Sequence, residues 1–411
     1  MQNKPIHAPL KGFTIDDNCL QVAGKPLSQI TKIVSSTPFY CYDRQLLNHR
    51  VNQLKQALPE PIKLHYAIKA NPMPAVVDHM ATLVDGLDVA SIKELHTALN
   101  SGMNSSNISF AGPGKTDQEL AAAIAASITI NVESMGELKR IEKVGQQLKL
   151  KPNIAFRVNP NYELKTSGMK MSGGPKQFGI DAEQLPAILN QLNTGQVNLQ
   201  GFHIFSGSQN LKVEALIEAH NKTFALAAEL AAVSPNPLMK LNIGGGFGIP
   251  YFPGEADLDL SPVCQNLSQL IVQYHSSSLN NCELIIELGR YLVGEAGIYV
   301  SEVIDIKQSR GQTFLVTNGG LHHHLANSGN FGQVIRKNYP VYLGNKMSEA
   351  NYEPVQIVGP LCTPLDILGD KVMLPKADIG DLVVITQSGA YGPTASPSEF
   401  LSHPPVKEIL L

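Results

Sequence analysis

The sequence predicts an α/β chain in which a (β/α)8 barrel is followed by an all-β domain. Two observations carry this. Over the first three quarters of the 411 residues, short apolar or β-branched runs alternate with stretches of helical spacing. That is the pattern of a parallel sheet covered on both faces. After about residue 293 the texture changes: strand-like runs continue, Gly and Pro punctuate them, and no regular helix falls between most of them.

In chain order, Phe13–Val22 and Phe39–Tyr42 are strand-like and are expected to join the β domain, so residues 1–40 are grouped with it. Residues 41–292 form the expected barrel. Its strands are read at Leu64–Lys69, Gly86–Ser91, Ile108–Gly112, Ile128–Glu133, Ile154–Asn159, Leu199–Phe205, Leu241–Gly245 and Glu283–Gly289. Between them, segments such as Gln118–Ala126 and Leu185–Leu192 carry apolar residues at helical spacing. Eight such units over roughly 250 residues fit a closed barrel better than an open doubly wound sheet. In the domain at 293–411, Tyr299–Ile306, Thr313–Thr317, Val355–Val358 and Asp381–Thr386 read as strands.

Composition excludes several classes. A net charge of −3 argues against a nucleic-acid binder, which needs a basic stripe. The five cysteines are odd in number with no CxxC pair, so neither a disulfide framework nor a zinc site is expected. A reducing cytoplasm fits. Met1 to Leu20 has no apolar core of a secretory signal, and no run has the length of a membrane span.

In a barrel of this kind chemistry collects at the C-terminal ends of the strands. Those ends carry Lys69, Asp88 and Ser91, Gly112, Glu133, Arg157 and Asn159, His203, Gly244–Gly246, and Glu287 with Arg290. Taken alone, Lys69 reads as a solvated strand-end lysine; partly dehydrated, it becomes a Schiff-base amine. Gly244-Gly245-Gly246-Phe247-Gly248 is neither GxGxxG nor a P-loop. Consecutive glycines there give either a plain tight turn or a cradle of backbone N–H groups for a single phosphate. Glu287 ends the apolar run Leu284–Ile286, where a carboxylate needs a partner: an internal cation, or the protonated ring nitrogen of a cofactor. His203 reads as a core histidine or as a flat ring stacked on that cofactor.

Three other patterns fall away. Ala67-Ile68-Lys69 echoes a kinase motif without the Gly-rich loop, HRD or DFG that should accompany it. His322-His323-His324, read as a strand, points its rings to opposite faces and makes a poor metal cage. Ser206-Gly207-Ser208 lacks the spacing of a nucleophile elbow.

With these residues assembled, the chain resembles the fold-type III pyridoxal-phosphate decarboxylases, the group containing diaminopimelate and ornithine decarboxylases. The likeness runs from Phe39 to the C-terminus. It rests on FYCYD (39–43), YAIKAN (66–71), GLDVASIKEL (86–95), FAGPGKT (110–116), NVES (131–134), FRVNP (156–160), QFGI (177–180), GFHIFSGSQ (201–209), GGGFG (244–248), ELGRYLVG (287–294), VGPLCTPLD (358–366) and SGAYG (388–392). GGLHHHLANSGNFGQVIRKNYP (319–340) and FLSHP (400–404) look most like decarboxylases found beside exosortase-type surface-polysaccharide systems, and like those acting on amino acids tethered to carrier proteins.

The resemblance implies an alanine racemase-like barrel that binds pyridoxal 5'-phosphate through an aldimine with Lys69. It implies His203 on the ring, Glu287 at the ring nitrogen, and Gly244, Gly245, Gly246, Gly289, Arg290 and Tyr391 around the phosphate, with Asp88 and Ser206 also at the cofactor. Arg157, Arg290, Thr363 and Asp366 are expected at the substrate. Cys362, entering from the partner of a two-fold homodimer with shared active sites, is expected to protonate the product carbon.

An acid at the ring nitrogen favours decarboxylation over racemisation, because it keeps the ring a strong electron sink. The β domain with Cys362 and Tyr391 disfavours a non-catalytic cofactor-binding protein. The substrate turns on a departure from the family pattern. Diaminopimelate and ornithine decarboxylases place an acid after the active-site cysteine, where it reads a distal ammonium, and here that residue is Thr363. The arginine-bearing segment that reads diaminopimelate looks replaced by Leu321–Leu325. A free diamino acid is therefore disfavoured against one with a masked distal end, such as a glutamyl group on an acyl-carrier protein. The Gly- and Lys-rich loop Leu164–Gln177 reads as a contact for an acidic carrier or as a mobile lid.

Overall fold

The computed structural model describes residues 5–163, 169–170, 172–331 and 336–411. They fall into two units: one within residues 50–248 and 258–289, the other within residues 5–49, 249–257 and 290–411.

The first unit is a closed barrel of eight parallel strands: Ile62–Ala67, Gly86–Val89, Ile108–Phe110, Thr129–Val132, Asn153–Asn159, Asn198–Ile204, Lys240–Gly245 and Glu283–Leu288. The ring closes where Glu283–Leu288 pairs with Ile62–Ala67, Leu284 opposite Ile62 and Glu287 opposite His65. A two-residue strand, Ile180–Asp181, pairs parallel with the end of Asn153–Asn159. Strand residues are buried almost throughout because helices cover the outer face and side chains fill the inner one. The helix starts are written in the sequence. Thr116 and Glu119 form a capping box before Asp117–Ala125, and the Ser91 and Ser134 side chains cap Ile92–Asn100 and Met135–Leu148.

The expected strand Leu64–Lys69 ends earlier. Ala67 is its last residue, and Ile68–Ala70 is a single 3₁₀ turn closed by the Asn71 N–H donating to Ile68 O at 2.9 Å. The Tyr66 hydroxyl donates to Asn71 O at 2.8 Å and pins the turn against its own strand. Pro72 follows, and the residue before a proline is forced extended, so the turn cannot continue as helix.

The second unit is mostly β. Its spine is the 13-residue strand Gly297–Ser309, paired antiparallel with Phe39–Tyr42, Leu382–Ile385 and Gln312–Thr317. The sheet continues through Tyr352–Val358 to Ile367–Pro375, and Val341–Leu343 and Lys407–Leu410 complete it. Leu20, Val22, Leu27, Ile30, Phe39, Ile298, Val300 and Val384 pack one core.

The histidine triplet is not on a strand. The N–H groups of His323 and His324 donate to Gly320 O, closing a turn, and His324 caps the short helix Leu325–Ser328 by accepting the Asn327 N–H at Nδ1. All three rings are buried, and no metal-holding cluster exists among the described residues.

His324 is held neutral by these contacts, with Nε2 donating to Ser388 Oγ at 2.9 Å. Burial pushes its pKa down to about 3, and burial likewise lowers that of His220, in the barrel unit, to about 4. Both titrate near 6.5 when unfolded, so between about pH 6.5 and those values the unfolded chain binds more protons. Stability should therefore hold above about pH 6.5 and fall below it, by up to about 1.4 kcal/mol per pH unit for each histidine. Urea unfolding of wild type, His220→Gln and His324→Gln across this range checks it; identical slopes in all three proteins rule it out.

Candidate active site

Three of the expected residues meet inside the barrel rim. Glu287, near the end of the last strand, is buried, and its Oε2 lies 3.1 Å from His203 Nε2 and accepts from Asn242 Nδ2 at 3.3 Å. Lys69 Nζ lies 4.0 Å from Glu287 Oε1 and 5.7 Å from the centre of the Phe205 ring. Burial by itself pushes the Glu287 carboxyl up, but His203, Lys69 and Arg157 outweigh it and hold the pKa well below the usual carboxylate range. That favours the ionised carboxylate.

Of the two readings of Lys69, solvated or partly dehydrated, its side chain at 46% exposure is nearer the first. The 3₁₀ turn lifts it out of the strand and presents the amine at the rim, beside a buried carboxylate. His203 is only 2% exposed, and neither ring nitrogen makes a well-aligned hydrogen bond among the described residues.

The glycine turn is a close-packed device. Gly244 and Gly246 have φ of +71° and +80°, and a Cβ on Gly244 would lie 2.9 Å from Ile204 O. On Gly245 and Gly246 a Cβ would collide with the carbonyls of Glu287 and Gly207. Any side chain here would push this turn away from the neighbouring strand ends, so the backbone itself lines the rim. Ser206 is buried in the next loop, its carbonyl accepting from Ser172 Oγ at 3.3 Å. Gly289 lies against the Lys69 turn, where a Cβ would approach Ala70 Cβ to 2.9 Å.

Two barrel residues are engaged elsewhere. Arg157 Nη1 donates to Glu133 Oε1 at 2.8 Å, and its guanidinium covers the Phe178 ring. Glu133 also accepts the N–H groups of Gly112 and Gly179, which ties three strand ends together. Asp88 accepts from Ser109 Oγ and lies 3.5 Å from His65 Nδ1, while its Oδ2 is buried without a hydrogen bond.

In the β unit, Arg290 donates from Nη1 to the Tyr251 hydroxyl at 3.0 Å and lies over the Tyr391 ring, 4.6 Å from its centre. Burial pulls its pKa down, but Tyr251 and Tyr391 outweigh that and raise it, so the cation is permanent. Cys362 is exposed and free. On the same loop, Asp366 is buried and its carboxylate accepts the N–H groups of Leu321 at 2.6 Å and Leu361 at 2.9 Å. Thr363 donates its N–H to Leu361 O and accepts the Leu365 N–H at Oγ1. Of the loop Leu164–Gln177, Leu164–Gly168 and Met171 lie outside the described residues.

Sequence reading passes over Asn242, Phe205 and Tyr251. Asn242 leaves a signal: a polar residue inside the apolar run Leu241–Gly245, two places before the glycine turn. Phe205 and Tyr251 leave none, because their roles follow from what lies next to them in space.

A buried carboxylate, a flat and otherwise unbonded imidazole and an exposed amine, beside a glycine cradle, suit a planar, cationic, phosphorylated ring. Comparisons agree. Residues 44–294 match the family model for the pyridoxal-dependent decarboxylase, pyridoxal binding domain. The chain is 36% identical over 383 residues to the L-glutamyl-[BtrI acyl-carrier protein] decarboxylase of Niallia circulans, covering 91% of this chain and 88% of that one. It is 31% identical to the 2-[(L-alanin-3-ylcarbamoyl)methyl]-2-hydroxybutanedioate decarboxylase of Staphylococcus aureus, covering 89% and 92%. The diaminopimelate decarboxylase structure from M. jannaschii superposes with a TM-score of 0.88 at 27% identity, covering 98% of this chain and 93% of the other.

Proposed function

The chain belongs to the pyridoxal-dependent decarboxylases and removes CO2 from an amino acid with pyridoxal phosphate, and on that premise we propose that its substrate is an amino acid whose distal end is masked, as in a glutamyl group on an acyl-carrier protein.

One observation carries this reading. On the loop that bears Cys362, the acid is Asp366, and its carboxylate is taken up by two backbone N–H groups. Thr363, next to the cysteine, is neutral and bonded within the loop. A distal ammonium brought here meets only the Asp366 carboxylate, which is buried and already holds two backbone donors, and an unpaired buried charge is costly. A masked end carries no such charge. Two relatives point the same way, since the Niallia enzyme is named for a carrier-bound glutamyl substrate and the Staphylococcus enzyme for an alanine unit extended through a carbamoyl link.

Pyridoxal phosphate supplies the electron sink that accepts the pair left by departing CO2. In our reading Lys69 Nζ would carry the cofactor and Glu287 would hold a proton on its ring nitrogen. His203 would face its ring, and Asp88 is assigned to the same cofactor. Gly244–Gly246, with Ser206, Gly289, Arg290 and Tyr391, would hold the phosphate. Arg157 and Arg290 are the cations on hand for the substrate carboxylate, Arg157 being oriented through Glu133. Breaking Cα–CO2⁻ requires that bond to stand perpendicular to the ring, so the work of the pocket is orientation. The exposed Cys362 thiol then gives a proton to the carbon that lost CO2, acting on the site of a second copy in a two-fold dimer. Asp366 shapes the Cys362 loop. In the same reading, five cysteines with no disulfide among them fit a reducing cytoplasm.

The test is CO2 release by cofactor-loaded protein from L-glutamyl-carrier protein, compared with free diaminopimelate, lysine and ornithine. Turnover of the carrier-linked substrate with little from the free diamino acids is expected. Efficient decarboxylation of any free diamino acid, with the carrier-linked one ignored, overturns the proposal.

A further inference from the structure

Asn242 sits in an irregular piece of the barrel wall. Against the last strand, Asn242 pairs with Ile285 and Gly245 with Glu287, so Ile243 and Gly244 share the space opposite Ile286. This is a β-bulge, and bulges leave a backbone group without its ladder partner. The Asn242 side chain supplies one. Its Oδ1 accepts the Gly244 N–H at 2.8 Å, which fixes the flip of the amide and leaves Nδ2 to donate to Glu287 Oε2 at 3.3 Å. At 7% exposure the amide is out of reach of competing solvent.

We propose that Asn242 is a positioning residue that locks the Glu287 carboxylate to the glycine turn, so that the ring-nitrogen and phosphate ends of the cofactor are held in one register. The inference rests on the roles given above to Glu287 and Gly244–Gly246. One planar amide spans both. Its donor side, with His203 Nε2 also near Oε2, orients the carboxylate so that Oε1 is the oxygen turned toward Lys69. Its acceptor side holds Gly244 in the left-handed conformation that the turn needs. Each side acts on a different end of the same ligand.

Nuclear magnetic resonance of substrate-free holoenzyme separates the two, with 31P reporting the phosphate and 15N reporting a labelled ring nitrogen. Asn242→Ala removes both bonds. Both resonances should move, and cofactor affinity should weaken about 10- to 100-fold, the scale for losing a hydrogen bond to a charged group. Asn242→Asp keeps an acceptor for the Gly244 N–H but replaces the donor to Glu287 with a second carboxylate, which repels it. It should return the 31P signal to its wild-type position while the 15N signal stays displaced. If Asn242→Asp restores both signals or neither, or if Asn242→Ala moves neither, the coupling is wrong. A merely structural residue would lower stability and leave both signals of the remaining holoenzyme in place. Should Asn242→Ala not fold, the split in Asn242→Asp decides alone. Glu287→Gln is the control: if it leaves the 15N signal unmoved, the role given to Glu287 fails, which is a different result from failure of the Asn242 link.

Discussion

Lys69→Ala should remove the visible absorbance of the bound cofactor and abolish CO2 release. The expected loss in kcat is at least about 10⁴-fold, the scale for deleting one member of a group that acts as a unit. The reason is geometric as well as chemical. Of the residues around Glu287 and His203, Lys69 brings the amine, on a turn that aims it there. The side chain is 46% exposed, so losing its charge beside Glu287 should lower the stability of the apoprotein by no more than about 1 kcal/mol. Loss of colour and activity with the fold retained is therefore the expected pattern. Borohydride reduction of the wild-type holoenzyme, followed by peptide mass analysis, should place the cofactor on the peptide containing Lys69. Attachment to another lysine sinks the assignment.

Glu287→Gln should keep the fold and cofactor binding but lower kcat about 10²- to 10⁴-fold. That is the size expected when a buried charge loses its partner, about 3–5 kcal/mol. The substitution preserves shape, so its effect isolates the charge. In wild type the carboxylate is ionised far below the ordinary Glu range because His203, Lys69 and Arg157 outweigh its burial. A depressed pKa means that ionisation is complete above the usual value of about 4.5 and persists as pH falls through it. The pH profile of kcat should therefore show no acid limb at the usual Glu value. A limb there that vanishes in Glu287→Gln would contradict this.

Much of the site was legible in the sequence, for an identifiable reason. Parallel strands buried on both faces are near-continuous apolar runs, so a lysine, histidine or glutamate at the end of one stands out. Lys69, His203 and Glu287 stand out in this way, and the structure brings them together. The three-glycine turn is visible because consecutive glycines after an apolar strand leave only backbone to form the rim. In the β unit, Val341–Leu343, Ile367–Pro375 and Lys407–Leu410 are not legible as strands. Val341–Leu343 and Lys407–Leu410 are short and pair with distant strands, Lys407 opposite Phe39, so they carry little local pattern, while the longer Ile367–Pro375 has its alternation broken by register shifts and by Lys371 at φ +51°. A strand reading misplaces the histidine triplet because its turn depends on Gly320 O and on the remote Asp366 carboxylate, which grips the Leu321 N–H.

The sequence by itself determined the number and order of the barrel strands and which chemical groups stand at their ends. Both follow from local periodicity and from the cost of polar groups in apolar runs. Tertiary structure decided what each group touches. Lys69 stands on an exposed 3₁₀ turn, Arg157 is engaged by Glu133, Asp366 holds a loop, and a one-residue bulge turns Asn242 into the link between Glu287 and Gly244. Register, bulges and the meeting of distant strands are set by packing across the whole barrel, and no window of the chain contains them.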